Sequence, residues 1–292
     1  MVDVCVIGHI TRDVIRIGRG EKDLPGGVAY YFSMAFTSLG GSVSVITKCA
    51  EEDTFLLNDL VKRNIDIFYS QSKKTTTFEN VYPEDLDSRM QKVTSIATPF
   101  TVQEIPSIFP RYFHLGPLTN RNISLDVLRV LSRQAKVSLD IQGCLRTIDK
   151  GMIRHGDWQE KDEGLTYVNI LKADEDEAKI LSGEENIERA AERLATYGID
   201  EIVITLGRKG SLIYSKGAVY RIPSFPAKKM VDPTGCGDTY IAGYLFKRLR
   251  SSAITEAGQF AAAMASLKLG GYGPFTGSEE DVAKFLEASR AL

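Results

Sequence analysis

The stretch 231-VDPTGCGDTYIAGYLFKRL-249 places Pro233, Gly235, Gly237 and Asp238 close together and then runs on as an amphipathic helix. Ile241, Leu245 and Leu249 recur at helical spacing, so the helix is predicted to start near Gly237. A helix N-terminus leaves backbone N–H groups without intrahelical partners and carries the positive end of the dipole. Glycines there approach a ligand closely and take up conformations closed to other residues. The N–H groups of residues 235 to 238 would converge just beyond the helix start, a place suited to phosphate oxygens. Asp238 falls in the first turn, within reach of whatever that place holds. The same residues also read as a glycine turn and a simple helix cap, and Gly-x-Gly-Asp alone leaves both readings open. No G-x-x-x-x-G-K-[ST] occurs, and Ile241 stands where a dinucleotide fingerprint needs its third glycine.

Around this stretch the chain alternates. Apolar runs at 4–8, 43–47, 112–116, 137–140, 167–171 and 202–207 predict buried strands. Helical stretches at 28–39, 54–63, 122–135, 175–182 and 187–197 fall between most of them, and helices at 238–249, 255–269 and 279–290 close the chain. The pattern predicts an α/β fold, a mostly parallel sheet with helices on both faces. Two segments break it. Residues 12–24 read as a short strand, a turn and a connector. Residues 73–97 alternate threonine, aromatic and charged residues around Pro83-Glu84-Asp85, as antiparallel hairpin strands do. Together they predict a small β-sheet projecting from the main body, or else an edge meander on the core sheet. No repeats or long linkers interrupt residues 1–292, which read as a single domain with this appendage.

Lysine plus arginine is 36 and aspartate plus glutamate 38, a formal charge of −2 that gives no electrostatic ground for nucleic acid or an anionic membrane as partner. The four cysteines are scattered without a C-x-x-C, so structural zinc and disulfides are not expected and a reducing compartment fits. The first residues lack a basic n-region, and no apolar run approaches a membrane span. The expectation is a soluble cytoplasmic protein.

The segment Asp232-Pro233-Thr234-Gly235-Cys236-Gly237-Asp238 resembles the D-T-x-G-A-G-D signature of the PfkB (ribokinase-like) carbohydrate kinases. The double glycine of 25-PGGVAYYFSMAFTSLGG-41 resembles that family's N-terminal hallmark, 172-KADEDEA-178 its N-x-x-E region, and 203-VITLGRKGSLIY-214 its T-L-G-x-x-G nucleotide loop. These matches span nearly the whole chain in the family's order. The resemblance implies a ribokinase-like kinase fold in which segments 12–24 and 73–97 form a β-sheet lid. It implies ATP and Mg2+, with a monovalent cation as a further candidate, a small polyol as acceptor, and a homodimer through the lid.

Residue by residue, the resemblance implies that the amides of Gly235, Cys236 and Gly237 stabilise the transferring phosphoryl group. Asp238 then accepts the proton of the attacking hydroxyl. Asp13 would bind two acceptor hydroxyls, with Gly26 and Gly27 letting the acceptor lie against backbone; as a bare residue Asp13 reads equally as a turn aspartate. Glu177 would organise magnesium through water, while Asp174 replaces the family's usual asparagine and leaves its own part open. The two also read as a solvated acidic first turn. Thr205, Gly207 and Gly210 would hold the nucleotide, with Gly270 and Gly273 of 268-KLGGYGPF-275 near the adenine and the monovalent-cation site. Where sugar kinases commonly read G-G-x-x-x-N, this chain has Tyr31, either packed in the core or lining the pocket. In the pocket it would disfavour ribose and suit a flatter ring such as inositol. A nucleoside kinase, with Phe78 and Tyr82 supplying a slot for the base, and a catalytically silent sugar-binding or regulatory protein are the alternatives. His9, His114 and His155 form no site in this reading, and Trp158 is isolated.

Overall fold

The computed structural model describes residues 2–17, 20–82, 90–227 and 229–290. Its strands are β1 (Val4–Ile7), β2 (Thr11–Ile17), β3 (Gly20–Gly26), β4 (Val43–Cys49), β5 (Asp66–Gln71), β6 (Thr76–Tyr82), β7 (Met90–Ser95), β8 (Tyr112–Leu115), β9 (Lys136–Asp140), β10 (Arg146–Asp149), β11 (Met152–His155), β12 (Ile170–Asp174), β13 (Glu201–Thr205), β14 (Ser211–Ser215) and β15 (Ala218–Ile222). The helices are α1 (Val28–Ser38), α2 (Asn58–Lys62), α3 (Leu125–Ser132), α4 (Lys161–Gly164), α5 (Glu175–Ser182), α6 (Ile187–Ala195), α7 (Cys236–Leu249), α8 (Ile254–Leu269) and α9 (Glu279–Arg290).

Among the described residues, nine strands form one sheet in the order β15-β14-β13-β12-β9-β8-β1-β4-β5. From β13 to β5 neighbouring strands are parallel, while β14 and β15 add antiparallel at one edge. Strand periodicity sends alternate residues to opposite faces. Val4, Val6, Ile170 and Val203 therefore pack with α1, α7 and α8, while Cys5, Ile7, Leu171 and Ile202 pack with α3, α5 and α6. That is the two-faced α/β layer expected from the apolar runs.

A separate four-stranded sheet has the order β3-β2-β6-β7. It is not an edge meander. Strand β2 pairs antiparallel with β3, Thr11 opposite Gly26, and parallel with β6, Thr11 opposite Thr76. Residues 12–24 are thus two paired strands rather than a strand, a turn and a connector. The Pro83-Glu84-Asp85 turn lies outside the described residues. Beneath this sheet sits the β10–β11 hairpin, which the sequence reading did not anticipate. The Val93 N–H donates to the Gly151 carbonyl at 2.9 Å, and Phe78, Val93 and Leu118 pack against Ile148 and Ile153.

Other boundaries shift for local reasons. The strand expected at 167–171 starts only at Ile170, because Leu165–Tyr167 is a 3-10 turn and the Asn169 side chain accepts the Val137 N–H at 3.0 Å. The helix expected at 54–63 is a 3-10 turn, Glu51–Leu57, followed by the short α2. Strand β5 was also missed, its side chains being mostly exposed or half-buried at the sheet edge. Among the described residues, no helix is long and apolar enough to cross a membrane.

Trp158 is buried against α4, where a Cβ added at Gly164 would lie 2.1 Å from the indole Cη2. The Gly164→Ala variant is expected to lose about 1–3 kcal/mol through this overlap, the steric cost exceeding the gain in helix propensity. Urea unfolding followed by the emission of the single tryptophan measures it. A midpoint equal to the parent's would mean that the ring moves aside freely.

Candidate active site

Helix α7 starts immediately after Gly235, whose φ of 75° lies in the left-handed region. A Cβ there would stand 2.3 Å from Cδ1 of Tyr31, so conformation and packing both require glycine. The turn is fixed from within: the Thr234 N–H donates to Asp232 Oδ1 at 2.9 Å, and the Thr239 N–H and hydroxyl donate to the Gly235 carbonyl at 2.9 and 2.8 Å. The Cys236 N–H bonds the Pro233 carbonyl at 3.2 Å. It is therefore turned inward, and Gly235, Gly237 and Asp238 are the amides left to receive an anion. The Cys236 thiol lies 3.8 Å from the Ala265 carbonyl, and burial pushes it up to about 11.

Below the turn lies a polar row that sequence reasoning missed. Lys172 on β12 and Asp140 on β9 are direct register partners on the face covered by α1 and α7. Their ion pair measures 3.0 Å, both side chains are almost fully buried, and Lys172 Nζ also lies 4.0 Å from Glu177. The same ammonium would be 3.2 Å from a Cβ added at Gly237, so it stands directly under the glycine turn. Burial opposes the charge on Lys172, but Asp140, Glu177 and Asp238 outweigh it and raise its pKa. Burial and the neighbouring Asp140 push the Asp238 carboxyl up to about 7, with Lys172 opposing. Among the signals in the sequence, only a lysine and an aspartate at otherwise apolar strand ends mark this row.

Asp174 and Glu177 form a reciprocal capping box on α5: Asp174 Oδ1 accepts the Glu177 N–H and Glu177 Oε2 accepts the Asp174 N–H, each at 2.8 Å. The pair does sit in the first turn, but Glu177 is buried, so the turn is not the solvated one that the bare residues suggest. Each carboxylate keeps a second oxygen. Burial raises the Glu177 carboxyl, Lys172 opposing it and Asp140 and Asp174 adding to the rise. Asp140, Glu177 and Asp238 thus face one ammonium, an excess of negative charge that fits a divalent cation. Among the described residues no group of three or more His, Cys, Asp or Glu side chains is gathered to hold an ion outright. Water and donor oxygens would complete the coordination, as is usual for magnesium.

On the other side of the turn, Asp13 of β2 accepts the Thr11 hydroxyl at 2.8 Å. Gly26 lies across the ladder, where a Cβ would come within 2.4 Å of Asp13 Oδ2. Gly27, φ 82°, passes the His9 carbonyl, which a Cβ would approach to 2.5 Å. The double glycine therefore makes room for Asp13 and for the entry into α1. Tyr31 is buried, and its phenol is pushed up by burial and by the carboxylates of Asp13, Asp232 and Asp238. Its ring packs on Gly235. Of the two alternatives in the sequence, core packing is the one the structure shows.

The loop of Thr205, Gly207 and Gly210 closes through a Leu206 N–H bond to the Gly210 carbonyl at 2.8 Å. Gly210 is required structurally, since a Cβ there would lie 2.1 Å from the Ile222 carbonyl oxygen. Arg208 reaches Met230 Sδ at 3.2 Å, and the Val231 N–H bonds the Leu269 carbonyl at 2.9 Å. This brings the loop beside the end of α8. Gly270 has an ordinary helical φ, whereas Gly273, φ 75°, stands in open space. Phe78 packs under the small sheet, and the Tyr82 side chain lies outside the described residues. His9 and His114 are buried, their pKa values lowered to about 4 chiefly by burial, and His155 is exposed.

The profile of the pfkB family carbohydrate kinases matches residues 110–281. The cytidine kinase of Thermococcus kodakarensis is 28% identical over 88% of this chain and 92% of its own. The inositol 3-kinase of Arabidopsis thaliana is 25% identical over 87% of this chain and 70% of its own. Among solved structures, a pyrophosphate-dependent kinase of the ribokinase family, complexed with a pyrophosphate analogue and myo-inositol, superimposes with a TM-score of 0.85. It is 27% identical and covers 96% of this chain and 99% of that one.

Carboxyl NMR titration is expected to show one aspartate with a midpoint near 7, absent in Asp238→Asn and moved upward in Lys172→Met, because Lys172 favours the ionised form. A downward movement would place Lys172 out of reach of Asp238.

Proposed function

As a member of the pfkB family of carbohydrate kinases, the chain is a phosphotransferase acting on a small sugar-like acceptor, and we propose that this acceptor is a cyclitol such as inositol. The observation that carries the reading is the Tyr31 phenol, seated on Gly235 among Asp13, Asp232 and Asp238. A tyrosine offers one hydroxyl and a flat wall where an asparagine would offer an amide's donors and acceptor. A cyclitol carries hydroxyls all around a six-membered chair whose C–H faces are apolar. It can lie along Tyr31, donate two hydroxyls to Asp13 and present a third to Asp238.

In this reading the acceptor hydroxyl passes its proton to Asp238 as its oxygen bonds to phosphorus. An alcohol becomes acidic at that point, so a carboxylate suffices as base. The amides of Gly235, Gly237 and Asp238, with Lys172 beneath them, stabilise charge on the phosphoryl oxygens. Glu177 and Asp174 would hold Mg2+, which supplies compensating charge on the donor phosphates. Thr205, Gly207 and Gly210 on one side, and Gly270 and Gly273 on the other, would flank the nucleotide of ATP. Residues 1–292 act as one domain, with segments 12–24 and 73–97 as the lid that carries Asp13 and excludes water. A second donor, pyrophosphate, is favoured by the likeness to the pyrophosphate-dependent kinase, which is 27% identical and covers 96% of this chain.

A panel crossing ATP and pyrophosphate with myo-inositol, ribose, fructose and cytidine tests acceptor and donor together. Inositol with ATP is expected to give the highest kcat/KM, and efficient ribose phosphorylation would overturn the cyclitol reading. No transfer from either donor to any acceptor would favour a silent binding protein.

Asp238→Asn is expected to lower turnover by roughly 10²–10⁴-fold while acceptor affinity changes much less. In the parent, kcat/KM falls as pH drops through about 7, where Asp238 takes up its proton. Turnover near the parent's in Asp238→Asn would remove it as the base.

Tyr31→Asn is expected to raise ribose phosphorylation relative to inositol. Steady-state kinetics with both acceptors decide it, and an unchanged ratio would return Tyr31 to a packing role alone.

A further inference from the structure

The family resemblance implies a monovalent cation near residues 268–275, and the oxygens there that could hold one are already taken. Lys268, at the end of α8, is completely buried. Its ammonium donates to the Asp232 carbonyl at 2.7 Å and lies 3.2 Å from Asp232 Oδ2. A main-chain carbonyl and a carboxylate from one residue are the kind of oxygen pair a potassium ion takes. Here a covalently attached cation of similar size and equal charge has taken them.

Burial opposes ionisation of Asp232, but the Thr234 amide and side chain and the Lys268 ammonium together hold its carboxyl below the usual range. The other Asp232 oxygen accepts the Thr234 N–H, and from Thr234 the chain runs directly into Gly235 and Gly237. The Val231 N–H bonds the Leu269 carbonyl beside it. One buried positive charge therefore fastens the end of α8 to the turn that presents the anion-binding amides. A second cation about 4 Å away would meet repulsion strong enough to weaken its binding roughly a thousandfold at an effective dielectric of about 20.

We propose that Lys268 is a built-in substitute for the monovalent cation, a positioning residue that holds the Asp232–Gly237 turn so that the protein works without potassium. The part that concerns turnover rests on the kinase reading; the part that concerns cation binding does not. The loss of a long side chain leaves a cavity lined by the two Asp232 oxygens, which a small free cation can enter.

The experiment compares the parent with Lys268→Ala in potassium, methylammonium and N-methylglucamine chlorides at equal ionic strength and fixed Mg2+. Turnover, melting temperature and calorimetric potassium binding are read for each. The parent is expected to bind no potassium and to turn over equally in all three salts. Lys268→Ala is expected to be slow and less stable in N-methylglucamine, and to regain both properties saturably with potassium or methylammonium. A parent that binds potassium or is activated by it overturns the proposal. So does a folded Lys268→Ala that keeps full turnover without potassium, or one that binds none. If Lys268→Ala does not fold in any salt, Lys268→Gln replaces it, and the parent's potassium titration decides without a variant. Absence of all phosphotransfer in the parent would sink the kinase reading alone, leaving calorimetry to judge Lys268.

Discussion

Three acids and one ammonium share the ends of the central strands, and the register between β9 and β12 is what puts them there. Lys172 faces Asp140 directly across the parallel ladder, and Glu177 and Asp238 complete the ring from α5 and α7. A buried pair of this kind is costly to desolvate and strongly penalised if broken on one side. Its presence in the middle of an otherwise apolar face is thus poor evidence for stability and better evidence for function. It sets the charge beneath the glycine turn, where burial and Asp140 raise Asp238 against the pull of Lys172, and leaves a net negative site that suits a metal bound together with phosphate.

Much of this was legible in advance, and the reasons are local. Helix α5 was bounded correctly because Asp174 and Glu177 form a capping box and Gly183 ends the helix in the left-handed region. Helix α7 and its glycine turn follow from the spacing of 231–249. The residues that escaped notice carry no local signature. Lys172 and Asp140 are ordinary letters in strand-like runs, and only the sheet register makes them a pair. Strands β10 and β11 are short and mostly exposed, so they lacked the apolar periodicity that marks a buried strand.

Glycines illustrate how a motif can mix two kinds of necessity. Gly26 yields space to the Asp13 carboxylate and Gly235 to the Tyr31 ring, both residues of the proposed acceptor site. Gly210 yields to the Ile222 carbonyl, which is a demand of the sheet edge and not of any ligand. Read as letters, each of the three belongs to one of the family's signatures. Only the neighbour that each missing side chain would strike separates binding from architecture.

The pairing of β2 with β6 has a consequence for how the chain folds. Strands β2 and β3 are neighbours in the sequence, but the other partner of β2, β6, begins only after α1, β4, α2 and β5 have intervened. Joining Thr11 to Thr76 requires the core strands to be in place first, since they bring residues 10 and 75 to the same rim of the sheet. Non-local parallel pairing forms slowly because closure entropy is lost before contacts repay it. The small sheet is therefore completed late in the N-terminal half, and on a nascent chain β2 has only β3 to pair with until residues 76–82 have been made.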